Sequence, residues 1–93
     1  DNRIIMPYFI TPYTRAQAKK IGVTIKPSNK QDKKIDVFRG EEFLGSIGAK
    51  GMGDYPSYLR SKGKEYAKQR RRLFYQRHTK NTLKELLSKW LLW

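Results

Sequence analysis

The chain has no cysteine and a single histidine. That removes disulfide frameworks, thiolate metal sites and thiol nucleophiles, and a metal site at His78 would have to recruit scattered carboxylates. Acids are scarce as well, eight against 21 lysines and arginines. No spacing links them to one another or to a serine and the histidine as catalysis requires. An enzyme is therefore not expected, nor a cofactor, a metal or a small-molecule substrate. Long apolar runs are also missing. The stretch IIMPYFITPY, 4–13, is too short and too broken by Pro7 and Pro12 to cross a bilayer, and it lacks a signal-peptide layout. Met6 is one candidate for the biological start, and a removed leader is the alternative.

What is abundant is positive charge, +13 over 93 residues. A polyanion is the natural partner, and charge alone does not choose among DNA, RNA, an anionic membrane and an acidic protein face. With 38% hydrophobic residues, a chain of this size builds one small domain around a thin core, although its aromatics raise what each buried position is worth. The expectation is that its apolar ends find cover on another molecule.

Residues 1–13 read as an extended N-terminal arm, because each proline restricts its predecessor to extended geometry. Tyr8, Phe9, Ile10 and Tyr13 are its candidate docking residues. They can fold back on the domain or lie in a neighbour's groove, with the neighbour slightly favoured. Residues 14–93 read as a single α+β domain. Thr14 and Gln17 fit a capping box for a helix over 15–21 that Gly22 stops. VTIK, 23–26, reads as a strand. IDVFRGEEFLGSIG, 35–48, reads as a hairpin turning at Gly40, with Phe43, Gly45 and Ile47 alternating with Leu44 and Ser46. A long helix is expected from Pro56, capped by Asp54 or Ser57 and carrying Leu59, Tyr66, Leu73 and Phe74 as its apolar stripe, with Gly63 weakening it by roughly 1 kcal/mol. Thr82 and Glu85 form a second capping box. Behind them Leu83, Leu86, Leu87, Trp90 and Leu91 give the cleanest amphipathic pattern in the chain. Trp90 and Trp93 are docking candidates at that end.

GAKGMGDYP, 48–56, raises the question of a phosphate loop. Neither a Walker pattern nor a dinucleotide fingerprint is met, and Asp54 would oppose a phosphate at the helix start. The glycines instead suit a strand that leaves its sheet sharply, with Tyr55 sealing the hairpin against the helix. Between Arg60 and Lys80 stand nine basic residues and one acid, Glu65. The candidate polyanion or partner contacts are Lys64, Lys68, Arg70, Arg71, Arg72, Tyr75 and Arg77. Consecutive helix positions differ by about 100°, so Arg70 to Arg72 cannot share one face. At least one should run along the core with its stem buried, seeking a carbonyl or a carboxylate, with Asp36, Glu41 and Glu42 the nearest acids by topology. His78 reads as a capping or packing residue.

A lysine-led hairpin, FLGSIGAKGMGDYPSY, RRRLFYQRH and LSKWLLW together resemble a short basic protein family of large double-stranded DNA viruses, the algal and amoebal giant viruses. Its members read as hairpin, FGAKGYSDYT, helix, RYLARH, helix, LLW. The likeness covers about 33–93 and rests on Gly48, Lys50, Gly51, Asp54, Tyr55, Arg71, Arg72, Tyr75, Arg77, His78, Leu91, Leu92 and Trp93. This chain departs from it at Met52 and Gly53, has Pro56 where members have threonine, and ends at the tryptophan past which members run on. The resemblance implies a virion-associated, minor capsid-type protein without enzymatic activity. It would lie on the inner side of the capsid, and in the host cytoplasm during assembly. Other capsid proteins are its expected partners, with DNA or the inner viral membrane surface beside them. The alternative is a basic nucleic-acid-binding module with the arginines and lysines on phosphates. A peripheral membrane protein is the third reading.

Overall fold

The computed structural model describes residues 8–93, so residues 1–7 of the expected arm lie outside the described residues. In chain order the elements are α1 (Pro12–Ile21), β1 (Thr24–Pro27), β2 (Lys33–Arg39), β3 (Glu42–Ala49), α2 (Tyr55–Lys62), α3 (Lys64–Arg77) and α4 (Leu83–Leu92). The strands form one antiparallel sheet in the order β1-β2-β3. The class is α+β, as expected.

The N-terminal helix begins earlier than the sequence reading sets it. Thr11, not Thr14, is the N-cap, and Pro12 takes a first-turn position where its missing N–H costs nothing. Thr14 lies inside the helix, buried, and donates its hydroxyl to the Leu91 carbonyl at 2.8 Å. Gly22 ends the helix in the left-handed region at φ 75°. In the described part of the arm, Tyr8 and Ile10 lie on their own domain. Ile10 is 2% exposed and belongs to the core cluster with Ala18, Ile35, Val37, Ile47, Leu87, Leu91 and Leu92. A core this thin gains more from one more isoleucine than the sequence alone reveals.

β2 and β3 turn through Gly40 at φ 60°, with Arg39 opposite Glu42, the glycine-first arrangement of a two-residue hairpin. The register shifts between Val37 and Phe38. That bulge takes Phe43 off the core face expected for it. Its ring is exposed and pairs with Phe38 at 5.3 Å instead. Ile35, Val37 and Ile47 keep the inward face and meet α4, whose buried residues are Leu87, Leu91 and Leu92. The predicted stripe was therefore offset. Leu83 and Trp90 sit on its exposed flank.

The long helix expected from Pro56 is two. α2 stops at Gly63, whose φ of 95° no helix accommodates, and α3 starts immediately after it. The glycine breaks the helix where only a weakening was expected.

Candidate nucleic-acid interface

The glycine-rich corner comes first, because it positions the basic helix. At Gly48 the φ is 78°, and an added Cβ would lie 2.8 Å from Leu92 Cδ1 and 3.0 Å from Lys34 Cδ. At Gly53 a Cβ would overlap the Tyr58 ring. The corner then ends on Asp54. Its carboxylate accepts from Tyr8 Oη at 2.7 Å, Lys34 Nζ at 2.9 Å and Ser57 N at 3.0 Å. Lys34 Nζ also donates to the Met52 carbonyl at 2.7 Å. The pair is almost completely enclosed, with the side chains of Lys34 and Asp54 5% and 1% exposed. Burial raises the Asp54 pKa, but the Lys34 charge and the hydrogen bonds from Lys34, Tyr8 and Ser57 outweigh it and hold the carboxyl below its ordinary value. The Tyr8 phenol is pushed up, by burial first and then by its bond to the Asp54 carboxylate, with Arg60 opposing. Phosphate binding is not what this loop is built for: its acid holds a lysine, a tyrosine and a helix start together.

α3 distributes its basic residues over three directions. Lys64, Lys68 and Arg72 recur every fourth residue and Tyr75 falls among them. At about 100° per residue the four occupy about 80° of arc along some 16 Å of helix. All four are exposed. Glu65, the one acid of α3, borders this stripe.

Arg71 borders the stripe, about 20° around the helix from Lys64, but its side chain is committed inside the chain. Its guanidinium lies 3.7 Å from the centroid of the buried Tyr55 ring, Nε donates to the Trp93 main-chain oxygen at 2.7 Å, and Nη2 reaches Tyr13 Oη at 3.4 Å. The sequence reading anticipated one core-side arginine but offered acids as its partners. The structure supplies a main-chain oxygen and two tyrosines, because α4 returns beside α3 while Asp36 is taken up elsewhere. Asp36 accepts from Ser46 Oγ at 2.6 Å. Its burial raises the pKa, yet bonds from Ser46 and Ser28 and the charges of Lys30 and Lys26 leave it lowered. Arg70 and Arg77 take the third direction. They line a cavity bounded by β3, the glycine corner and α4.

The docking candidates divide as well. Tyr8 and Ile10 pack on their own domain. Tyr13 sits 5.4 Å from Tyr55, its phenol raised by burial with Arg71 opposing. Trp93 stacks on Phe74 at 4.6 Å and 13°. Phe9 is 68% exposed and Trp90 41%. His78 is a packing residue, stacked on the other side of Phe74 at 4.1 Å.

Sequence reasoning missed Lys89. Its Nζ lies 5.4 Å from the Tyr75 centroid, and together they border an open hollow of about 370 Å³ whose other aromatic walls are Tyr13, Trp90 and Trp93. Tyr75 thus belongs both to the basic stripe and to an aromatic hollow. The signal available was Lys89 beside Trp90 near the end of α4, but only the pairing of α4 with α3 brings them to Tyr75.

Among the described residues no group of three histidines, cysteines or acids is gathered as a metal site, and no helix is long and apolar enough to cross a membrane. Compared with known proteins, the chain matches no family model, no curated protein and no solved structure.

Proposed function

We propose that this chain is a non-enzymatic module that binds single-stranded nucleic acid. Phosphates follow Lys64, Lys68 and Arg72, and one unstacked base enters the hollow against Tyr75 and Trp90. The observation that carries the reading is the double membership of Tyr75, 43% exposed, in a straight basic stripe and an aromatic hollow. Proteins that bind single strands combine a positive track for the backbone with rings on which bases stack. A duplex keeps its bases stacked and cannot fill the hollow.

Titration of a thymidine oligonucleotide, followed by tryptophan fluorescence, tests this. Affinity falls log-linearly with salt, and duplex of equal length competes poorly. Tyr75→Ala is expected to weaken binding by about tenfold, since stacking one base is worth roughly 1–3 kcal/mol. Salt-insensitive binding, or equal affinity for duplex, would remove the proposal.

A second reading is favoured by the exposure of Phe9, Leu83 and Trp90. With the viral resemblance it supports a minor capsid-type role, in which these side chains meet other capsid proteins. Mass spectrometry of purified particles of the encoding virus should then find the chain, with cross-links from Lys89 beside Trp90 to a capsid subunit. Its absence from the particles would end that reading.

A further inference from the structure

The cavity on the other flank of α3 is not used by the nucleic-acid stripe, and its walls have a chemistry of their own. Its volume is about 430 Å³, inside the range of roughly 300–1,000 Å³ that small-molecule sites occupy. Four cations reach it: Lys33, Arg70, Arg77 and Lys84. None of them pairs with an acid among the described residues, whereas Lys34 beside them is neutralised by Asp54.

Two polar atoms in the walls are buried without a partner, Arg70 Nε and Glu85 Oε2. An unmet donor and an unmet acceptor each carry a desolvation cost of about 1–3 kcal/mol that a matching ligand would offset. The other Glu85 oxygen stands 3.8 Å from His78 Nδ1, and Ser88 adds a hydroxyl to the same wall. Leu92 and Met52 supply the apolar part of the lining. Both faces of the Phe74 ring are covered, by Trp93 and by His78, so that ring offers an incoming molecule its edge and no stacking platform.

We infer that this cavity binds a small phosphorylated sugar unit, free or as part of a nucleotide. The phosphate is taken by Arg70, Arg77 and Lys84, and a sugar hydroxyl donates to Glu85. A bare anion would satisfy Arg70 and leave Glu85 opposed to it. An uncharged sugar would do the reverse. The two orphaned atoms together select a ligand that carries both negative charge and a hydroxyl donor. This site is separate from the stripe, since Arg70 and Arg77 lie across the helix from Lys68 and Arg72.

Calorimetry with ribose 5-phosphate, ATP, inorganic phosphate and ribose tests the inference, with amide shifts mapping where each probe binds. Saturable binding of ribose 5-phosphate is expected, with shifts centred on Gly48 and Ser88, weaker binding of inorganic phosphate and none of ribose. ATP binding alongside it points to a nucleotide as the source, and its failure to bind points to a free sugar phosphate. Arg77→Gln is exposed and leaves the packing alone; it should weaken ribose 5-phosphate at least about tenfold, and Lys84→Gln by a similar factor. The pair Lys68→Gln with Arg72→Gln should leave ribose 5-phosphate binding unchanged while weakening the oligonucleotide, which separates this site from the proposed function. The inference is overturned if ribose 5-phosphate does not bind, or if its binding follows the stripe substitutions instead of Arg77 and Lys84.

Discussion

Asp54→Ala is expected to destabilise the fold by about 3–5 kcal/mol, because it leaves the Lys34 ammonium buried without its counter-charge. That is a large share of the 5–15 kcal/mol that holds a small domain together. Two further bonds go with the carboxylate: that from the Tyr8 hydroxyl, which ties the arm down, and that from the Ser57 N–H, which caps the start of α2. Lys34→Met should cost a comparable amount by stranding Asp54 instead. The double substitution should cost less than the two singles added together, since neither charge is then left alone. Chemical denaturation of the four proteins measures the cycle, and additive costs would show that the pair is no more than a surface contact. Acid titration reads the same carboxylates. Asp54 and Asp36 both have pKa values lowered in the folded state from an ordinary 3.8. The unfolded chain therefore binds their protons first as pH falls. Their stabilisation is complete well above pH 4, declines as pH drops through that ordinary value, and is lost once the lower folded values are passed. In Asp54→Ala the acid-induced loss should shrink.

Which parts of this were legible before the structure follows from how local each signal is. Gly22 at a helix end, Gly40 at a tight turn and the alternation of Ile35 and Val37 with Asp36 are decided by a few neighbouring residues, and each appears where the pattern puts it. Thr11 and Thr14 are both able caps, and the choice went to Thr11 because Thr14 is drawn inside to the Leu91 carbonyl, 77 residues away. The bulge beside Val37 has no sequence signature of its own, so alternation alone puts Phe43 on the face of Ile47. The Lys34–Asp54 pair joins residues 20 apart. Alternation along KKIDVF does put Lys34 and Asp36 on one face, opposite Ile35 and Val37. It cannot say that the glycine corner folds over Lys34 and buries it.

The apolar ends are divided for a related reason. A lean composition correctly implies a thin core, but it does not say which apolar residues are drafted to thicken it. Ile10, Leu91 and Leu92 fill that role, so the tails expected to shelter on a neighbour are partly the core itself. Phe9, Leu83 and Trp90 remain outside, and they define the surface on which any assembly role must rest. The arginines show the same limit. Their number was plain in the sequence, and their division was not, since it depends on α4 returning to meet Arg71.

Removing Lys64, Lys68 and Arg72 together, each as glutamine, should lower affinity for a single-stranded oligonucleotide on the order of 100-fold at low salt and flatten its dependence on salt concentration. The slope of log affinity against log salt should lose about 2, three phosphate contacts at roughly 0.7 each on a single strand. These side chains are exposed, so the fold and its thermal midpoint should change little, which separates this outcome from that of Asp54→Ala. Arg71→Gln supplies the contrast. It has the same formal charge change as any one of the three, but its guanidinium holds Tyr55, Tyr13 and the Trp93 main-chain oxygen. It should lower stability and leave the salt slope nearly intact. If net charge alone governed binding, all four positions would contribute alike, and the slope would fall by the same amount wherever a cation was removed. A slope that responds to the stripe and ignores Arg71 requires that phosphates meet the uncommitted cations of α3, not its net charge.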